Sequence, residues 1–398
     1  MLLAAFNAVA RGSIVPIRGE AGTSMAKIDA FLRIMQENDA SDLHIGAGFE
    51  PMLRIHGVLE KTSHRVLTED EVKVLVYELL TDAQIGELEK AGELDCAYTL
   101  PGVARFRMNV FKKYPGIAAA FRIIPHTMPT LEALGLPASV RNMLHSKNGL
   151  ILVTGPTGSG KSTTLAAMVN YLNENMNYHM ITLEDPLEFI HSNKNSLINQ
   201  RQIGEHSHTF ANALRAALRE DPNVILVGEM RDLETIALAI TAAELGLLVL
   251  GTLHTKSASQ TISRVADAFP VDQQPAIRLT MSEVLVGICS QQLLRRVDGH
   301  GRVAALEVMV GTHAVRNLIR EGKSHLVNNV IMTAKKEGMQ LLDQHLKDLV
   351  GQNIVTADEA ARYAVDASAI LALGSSAKPA SAPAAPPRKP ALVGADSK

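Results

Sequence analysis

Residues 150–172 contain an apolar run, a glycine-rich turn and an amphipathic segment in immediate succession. The turn and the residues after it read Gly155-Pro-Thr-Gly-Ser-Gly-Lys-Ser-Thr163, which matches the Gly-x4-Gly-Lys-Ser/Thr pattern of a phosphate-binding loop. The run from Leu150 to Val153 predicts a strand before the turn, and helical spacing of apolar residues predicts a helix after it. This arrangement aims backbone N–H groups and the helix dipole at phosphate.

The loop predicts ATP and Mg²⁺ as the cofactors of this chain. Lys161 would place its positive charge on the β- and γ-phosphates, and the Ser162 hydroxyl would hold Mg²⁺ together with water. A glycine-rich turn without a ligand is the alternative, but the flanking strand and helix argue against it. The residues expected to bind the nucleotide are Gly155, Thr157, Gly158, Ser159, Gly160, Lys161, Ser162 and Thr163.

An acidic residue at the end of a neighbouring strand is the second part that such a site needs. Val224 to Val227 predict a buried strand, and Glu229 follows it with one residue, Gly228, in between. This carboxylate could polarise or hold the attacking water. Gly228 lies directly before Glu229, where sites of this kind usually have an Asp. Binding of Mg²⁺ must therefore depend on Ser162, on water or on another carboxylate.

Two further groups compete for the same role. Glu184 and Glu188 follow the predicted strand Met180 to Leu183, and His254 follows the apolar run Leu247 to Leu253. Ligands of open α/β sheets bind at the carboxyl ends of the strands, so we expect these side chains near the nucleotide. A structural role is the alternative for His254.

Three arginines lie on a hairpin predicted from the alternation of Ala104 to Val110 and Ala118 to Ile124. Arg105 and Arg107 fall on one face, and Arg122 lies on the second strand. A solvated sheet face is the simpler interpretation. However, the region around the loop offers no obvious arginine finger, and an arginine supplied by another domain or subunit can accelerate hydrolysis about 10³–10⁵-fold.

The pattern along the chain predicts an α/β protein with two folded domains. Short apolar runs alternate with helical segments after Leu150, which is typical of a mostly parallel sheet, and residues 272–366 read as mainly helical. The predicted organisation is a disordered extension over residues 1–24, an α+β domain over 25–125, a proline-containing linker over 126–137, an ATPase domain over 138–366 and a disordered Pro/Ala-rich tail over 367–398.

The composition narrows the class of protein. The 398 residues carry 39 Lys and Arg against 41 Asp and Glu, no Trp and 4% aromatic residues, which disfavours a protein that moves along nucleic acid. The two cysteines, Cys96 and Cys289, are too few for a disulfide framework or a four-cysteine zinc site. No apolar run approaches the ~20 residues of a membrane-spanning helix.

Several motifs resemble those of the secretion ATPases, the superfamily that powers type II secretion and type IV pili. The phosphate loop, residues 184–189, residues 224–232 and residues 251–255 are similar to its Walker A motif, Asp box, Walker B motif and His box. The resemblance extends over about residues 25–366 and is strongest to the branch that retracts pili. Residues 314–322 resemble the C-terminal motif associated with retraction.

The resemblance implies a RecA-like P-loop ATPase domain, a smaller PAS-like α+β domain before it, and a homohexameric ring with ATP between the domains. It implies Lys161 and Ser162 on the nucleotide, Glu188 and Glu229 as active-site acids with His254 beside them, and Arg105 and Arg122 as neutralising charges. The family's His box usually begins with a histidine, and Leu247 stands there instead.

The function implied is a cytoplasmic, ATP-hydrolysing motor for pilus retraction and twitching motility at the inner-membrane base of the pilus. Its expected partners are other copies of the chain and an inner-membrane platform protein, with no nucleic acid, no zinc and no direct membrane contact. Three alternatives stay open: a PilU-like accessory subunit, an extension or secretion ATPase, and a hexameric DNA translocase. Extension enzymes typically carry an extra N-terminal domain and zinc-binding cysteine pairs, and Lys161 and Glu229 are both present here for hydrolysis.

Overall fold

The structure, a computed structural model, describes residues 26–376 except Asp39, His56, residues 125–127 and His300. The predicted extension over residues 1–24 lies outside this range. The described residues form two sheets, the first of six antiparallel strands and the second of seven strands. The predicted α/β class, with a small α+β unit before a mostly parallel sheet, is therefore confirmed.

In the described part of the chain, the first sheet contains the predicted hairpin as its last two strands in chain order, together with four further strands and three helices. Its elements in chain order are α1 (Asp29–Glu37), β1 (Ala40–Gly46), β2 (Met52–Ile55), β3 (Val58–Lys61), α2 (Glu69–Tyr77), α3 (Asp82–Ala91), β4 (Glu93–Leu100), β5 (Ala104–Lys112) and β6 (Ile117–Ile124).

Local sequence accounts for the helices of this unit. Phe31, Leu32 and Met35 recur at helical spacing and bury one face of α1 in the core. At the start of α2, the Glu71 N–H donates to the Thr68 hydroxyl and the Thr68 N–H donates to the Glu71 carboxylate. This reciprocal capping box satisfies two N–H groups that a helix end would otherwise leave unpaired.

The second sheet is parallel except for its last strand in chain order, which runs antiparallel to its neighbour. Its elements are α4 (Ala138–Leu144), β7 (Gly149–Thr154), α5 (Lys161–Asn175), β8 (His179–Glu184), β9 (Leu197–Gln202), α6 (Phe210–Ala217), β10 (Val224–Val227), α7 (Leu233–Glu244), β11 (Leu248–Leu253), α8 (Ala258–Asp267), α9 (Gln274–Val284), β12 (Leu285–Arg295), β13 (Arg302–Val310), α10 (His313–Arg320), α11 (Val327–Thr333), α12 (Leu342–Gly351), α13 (Ala357–Ala361) and α14 (Ala367–Ser376).

The strands lie in the order β3-β2-β1-β6-β5-β4 in the first sheet and β13-β12-β7-β11-β10-β8-β9 in the second. Helices cover both faces of the central strands of the second sheet. Along β7, Leu150 and Leu152 enter the core on one face, and Ile151 and Val153 enter the core on the other. Strands buried on both faces read as unbroken apolar runs, which is why β7 and β10 were predictable. The loops after β7, β8, β10 and β11 all leave at the carboxyl edge of the sheet.

Two predictions about the C-terminal third need correction. Helices outnumber strands over residues 272–366, as predicted, but the pattern missed β12 and β13, which pair within the second sheet and have 11 and 9 residues. The disordered tail does not begin at residue 367, because residues 367–376 form α14, and its Ile370 is fully buried against the helices before it. The Pro-rich composition starts only after this helix, and residues 377–398 lie outside the described range.

The segment that resembles the retraction motif forms α10. Val315 and Ile319 are fully buried, and the chain leaves the helix at Gly322 with a positive φ of 70°. Arg316 turns back to donate from Nε to the Gly311 carbonyl at 2.9 Å. The segment is therefore an amphipathic helix that ends at a glycine.

None of the helices in the described part of the chain combines the length and the apolar composition needed to cross a bilayer.

Candidate active site

The phosphate loop connects β7 to α5 and is shaped by its glycines. Gly158 and Gly160 have φ angles of 79° and 87°, in the left-handed region that glycine adopts without strain. The Lys161 ammonium donates to the carbonyls of Gly155 at 2.9 Å and Pro156 at 3.1 Å. The loop therefore wraps around the Lys161 side chain and leads directly into the N-terminal end of α5.

The donors at this end of α5 fit a phosphate group. The first turn of a helix leaves N–H groups without intrahelical acceptors, and α5 has neither a side-chain cap nor an acidic residue there. Burial lowers the pKa of Lys161, although the charges of Glu229 and Glu188 raise it. Both predicted acids thus lie within electrostatic reach of the lysine.

Glu229 is held by two cationic or polar partners at the end of β10. His254 Nε2 lies 2.6 Å from Glu229 Oε1, and Arg231 Nε donates to the same oxygen. Burial raises the pKa of Glu229, but the hydrogen bonds from Arg231 and His254 outweigh it and leave the pKa below its ordinary value. Glu229 is therefore an ionised acceptor at neutral pH, as a residue that orients water must be.

Glu184, at the end of β8, has the opposite electrostatics. It accepts from the Thr182 hydroxyl at 2.7 Å and from Gln200 Nε2 at 3.3 Å. Burial nevertheless raises its pKa to about 7, and the charge of Glu188 adds to the rise. Two carboxyls whose environments push their pKa values apart have different roles. Glu229 fits the role of base or water-orienting group, whereas Glu184 is partly protonated near neutral pH.

Glu184→Gln is expected to stabilise the protein at pH 8 and to leave its stability nearly unchanged at pH 5. The carboxyl of the unfolded chain loses its proton near the ordinary pKa of 4.5, whereas burial keeps the folded one protonated up to a pKa of about 7. Wild-type stability therefore falls as the pH rises through this window, by at most about 3 kcal/mol. Thermal denaturation without nucleotide at both pH values measures the difference. An equal change at pH 5 and pH 8 would contradict the assignment.

The aspartate that is usual at the position of Gly228 would be crowded by the neighbouring strand. A Cβ atom built there would lie 3.0 Å from the Leu183 carbonyl oxygen and 3.3 Å from the Cα atom of Glu184. Both are backbone atoms of β8, which cannot move as a flexible side chain can. The close packing of β10 on β8 therefore accounts for the glycine.

His254 and Leu247 belong to one sequence motif but to opposite ends of β11. His254 follows the carboxyl end and contacts Glu229, whereas Leu247 precedes the amino end and its carbonyl accepts from the Gly149 N–H. Seven residues at about 3.3 Å each place roughly 23 Å between them. A histidine at position 247 could not join His254 beside Glu229 on the same chain.

The predicted arginines share one face of the N-terminal sheet. Arg107 and Arg122 are cross-strand partners, and Arg122 in turn lies opposite Asp42. Arg122 Nε donates to Asp42 at 2.8 Å, while the Nε atom of Arg105 is buried without a hydrogen-bond partner among the described residues. None of these contacts reaches the phosphate loop, so the structure does not join the arginines to Lys161 and Glu229.

Sequence reasoning missed Gln291, a buried residue on β12. Its Nε2 donates to the Ser159 carbonyl at 2.7 Å, and its Oε1 accepts from the Thr164 hydroxyl at 2.9 Å. The available clue was the polar run Ser290-Gln-Gln292 inside the otherwise apolar segment from Leu285 to Leu294.

Glu307 was also missed. This buried carboxylate on β13 accepts from the Ala258 N–H at 2.7 Å and from the Leu342 N–H, and burial raises its pKa. It ties the start of α8, four residues after His254, to the start of α12.

Within residues 26–376, apart from the gaps given above, no group of three or more His, Cys, Asp or Glu side chains is placed to hold a metal ion. Mg²⁺ usually keeps several waters and takes few protein ligands when it binds with phosphates, and the Ser162 hydroxyl at the start of α5 fits that mode.

Comparison with known proteins gives consistent likenesses. A family model described as type II/IV secretion system protein matches residues 20–345. A Pseudomonas aeruginosa protein named type IV pilus retraction ATPase PilT is 47% identical over 333 residues, which cover 84% of this chain and 96% of that protein. A Neisseria gonorrhoeae twitching motility protein is 49% identical over 314 residues, covering 79% and 84%.

The crystal structure of a pilus retraction motor, PilT with bound ADP, has a TM-score of 0.80 and 45% identity. The match covers 86% of this chain and 98% of that one. A shared fold at this identity and coverage supports the RecA-like architecture read from the second sheet. The chain belongs to the type II/IV secretion system protein family.

Proposed function

We propose that this chain is an ATP-hydrolysing subunit of a homohexameric motor that retracts type IV pili. One observation carries the proposal. At one edge of the parallel sheet, Lys161 lies within electrostatic reach of Glu229, and His254 contacts Glu229. The likeness to proteins named for pilus retraction and twitching motility supports retraction, rather than extension, as the task of the motor.

In this proposal the loop and the start of α5 bind the phosphates of ATP, and Lys161 neutralises their charge. Glu229 orients the attacking water, and His254 and Arg231 hold Glu229 in place. Water oxygen bonds to the γ-phosphorus while the bond to the β–γ bridging oxygen breaks, which yields ADP, phosphate and a proton that passes to solvent. Mg²⁺, held by Ser162 and water, would add charge neutralisation at the phosphate oxygens.

Glu188 and the arginines complete the proposed site. Glu188 is exposed near Lys161, and its backbone N–H donates to the Glu184 carboxylate. Arg105 and Arg122 would add positive charge from the N-terminal domain of the same or a neighbouring subunit. We place the motor in the cytoplasm at the inner-membrane base of the pilus, with a membrane platform protein as its partner.

Lys161→Ala tests the function in cells that assemble pili and lack a paralogue. The variant is expected to keep its surface pili but lose their retraction and the movement that depends on it, because pilus assembly does not need this motor. Pilus counts by electron microscopy and retraction by optical trapping measure both effects. Lys194→Ala, a surface change in the same domain, is the matched control.

The same experiment separates the alternatives. Absence of pili from the Lys161→Ala cells would indicate an extension motor. In cells that keep a paralogue, retraction that persists at reduced force would indicate an accessory subunit. Normal retraction in the variant would refute the proposal. Purified wild-type protein is expected to hydrolyse ATP without DNA, so a strict requirement for DNA would favour a translocase.

A further inference from the structure

We infer that Gln291 is a positioning residue that holds the phosphate loop in its nucleotide-binding shape. The inference rests on the proposed function, because it assumes that the loop binds ATP and ADP. It assigns a role at this site to a strand, β12, that carries none of the predicted site residues.

The amide of Gln291 spans the loop and the helix after it. Its Nε2 donates to the Ser159 carbonyl at 2.7 Å, and its Oε1 accepts from the Thr164 hydroxyl at 2.9 Å. A backbone carbonyl can only accept, so the nitrogen must face Ser159 and the oxygen must face Thr164. The side chain is only 3% exposed, so water does not compete for either bond.

The loop glycines allow β12 to come this close. A Cβ atom at Gly155 would lie 2.4 Å from the Gln291 carbonyl oxygen, and one at Gly160 would lie 3.2 Å from its Nε2 and 3.3 Å from Leu293. The loop thus rests on β12 at both ends, with the amide of Gln291 between them. Fixing the Ser159 carbonyl against β12 turns one loop acceptor away from the side where phosphate binds.

A loop that is already in its binding shape costs less to order when nucleotide arrives. If the amide is removed, the loop has more accessible conformations, and the apparent affinity falls with the fraction that can still bind. The side-chain hydrogen bonds of Gln291 go to Ser159 and Thr164 and not to Glu229, so its loss should act on nucleotide binding more than on the chemical step.

Gln291→Met tests the inference, since methionine has a similar shape but neither hydrogen-bonding group. We expect the dissociation constant for ADP, measured by calorimetry on the full chain, to rise about 10–100-fold. The KM for ATP should rise to match, and kcat should fall less than about tenfold. Thr164→Val, which removes only the contact to Oε1, should weaken ADP binding by a smaller factor.

Ser290→Ala is the matched control. It removes a buried hydrogen bond one residue away, from Ser290 to Thr154 at 2.8 Å, without touching the loop. It should lower the melting temperature as Gln291→Met does but leave the ADP dissociation constant unchanged. If Gln291→Met binds ADP as tightly as wild type and loses only thermal stability, the inference is overturned. If wild type and control do not bind ADP either, the proposed function itself fails.

Discussion

Glu229→Gln is expected to lower the kcat of ATP hydrolysis by about 10²–10⁴-fold while leaving nucleotide binding nearly unchanged. Glutamine keeps the shape of the side chain and one acceptor oxygen for His254, but it loses the negative charge that orients and polarises water. The pKa of Glu229 lies below its ordinary value, so the wild-type group is ionised in the assay and the substitution removes a real charge. Steady-state phosphate release and ADP calorimetry measure the two quantities separately.

Glu234→Gln is a suitable control for this experiment. Glu234 lies five residues further along the same segment and pairs with Arg215 on the surface, away from Lys161. The control should retain wild-type turnover. A Glu229→Gln protein with normal kcat would remove Glu229 from the chemistry and return attention to Glu188.

Two inactive variants, Lys161→Ala and Arg122→Ala, are expected to restore ATPase activity when mixed in one ring. Arg122→Ala should bind ATP but lose most of its turnover, since an arginine finger contributes about 10³–10⁵ in rate. If the arginine acts on a neighbouring subunit, an Arg122→Ala subunit with an intact loop regains a site beside a Lys161→Ala subunit. About a quarter of the interfaces in randomly mixed closed rings would have this order.

Arg107→Ala controls for loss of charge on the same sheet face. Arg107 lies opposite Arg122 in the sheet and pairs with the exposed Asp95 at 3.6 Å. It should keep wild-type turnover. Mixed rings without recovered activity, with subunit exchange verified by labelled protein, would contradict action in trans. Asp42 keeps Arg54 at 3.7 Å in the Arg122→Ala protein, so folding should survive the change.

The strands around the loop were predictable because consecutive residues in them are apolar and buried. β7 and β10 lie between helices on both faces and therefore read as apolar runs. β12 and β13 lie in the same sheet, but buried polar residues such as Gln291 and Glu307 interrupt their pattern. Each of these polar residues is satisfied by a distant partner, and Gln291 and Ser159 lie 132 residues apart in sequence.

The candidate site shows the same division. The ends of β8, β10 and β11 could be placed at one edge from their order, and so could Glu184, Glu229 and His254. The difference between the two glutamates could not be predicted. The pKa of each carboxyl depends on the side chains around it in the folded protein. Arg231 and His254 hydrogen-bond to Glu229 and lower its pKa, whereas burial raises the pKa of Glu184.

The two ends of β11 also bear on how related chains should be compared. Leu247 lies next to a cleft of about 610 Å³, whose lining includes Gly149, Glu244 and Arg316 of α10. Exchange of leucine for histidine at position 247 therefore changes the rim of the sheet at its amino edge, opposite the edge with the candidate ATP site. A motif that runs from 247 to 254 joins two surfaces of the domain, and within one chain variation at its first residue changes contacts at that far rim rather than beside Glu229.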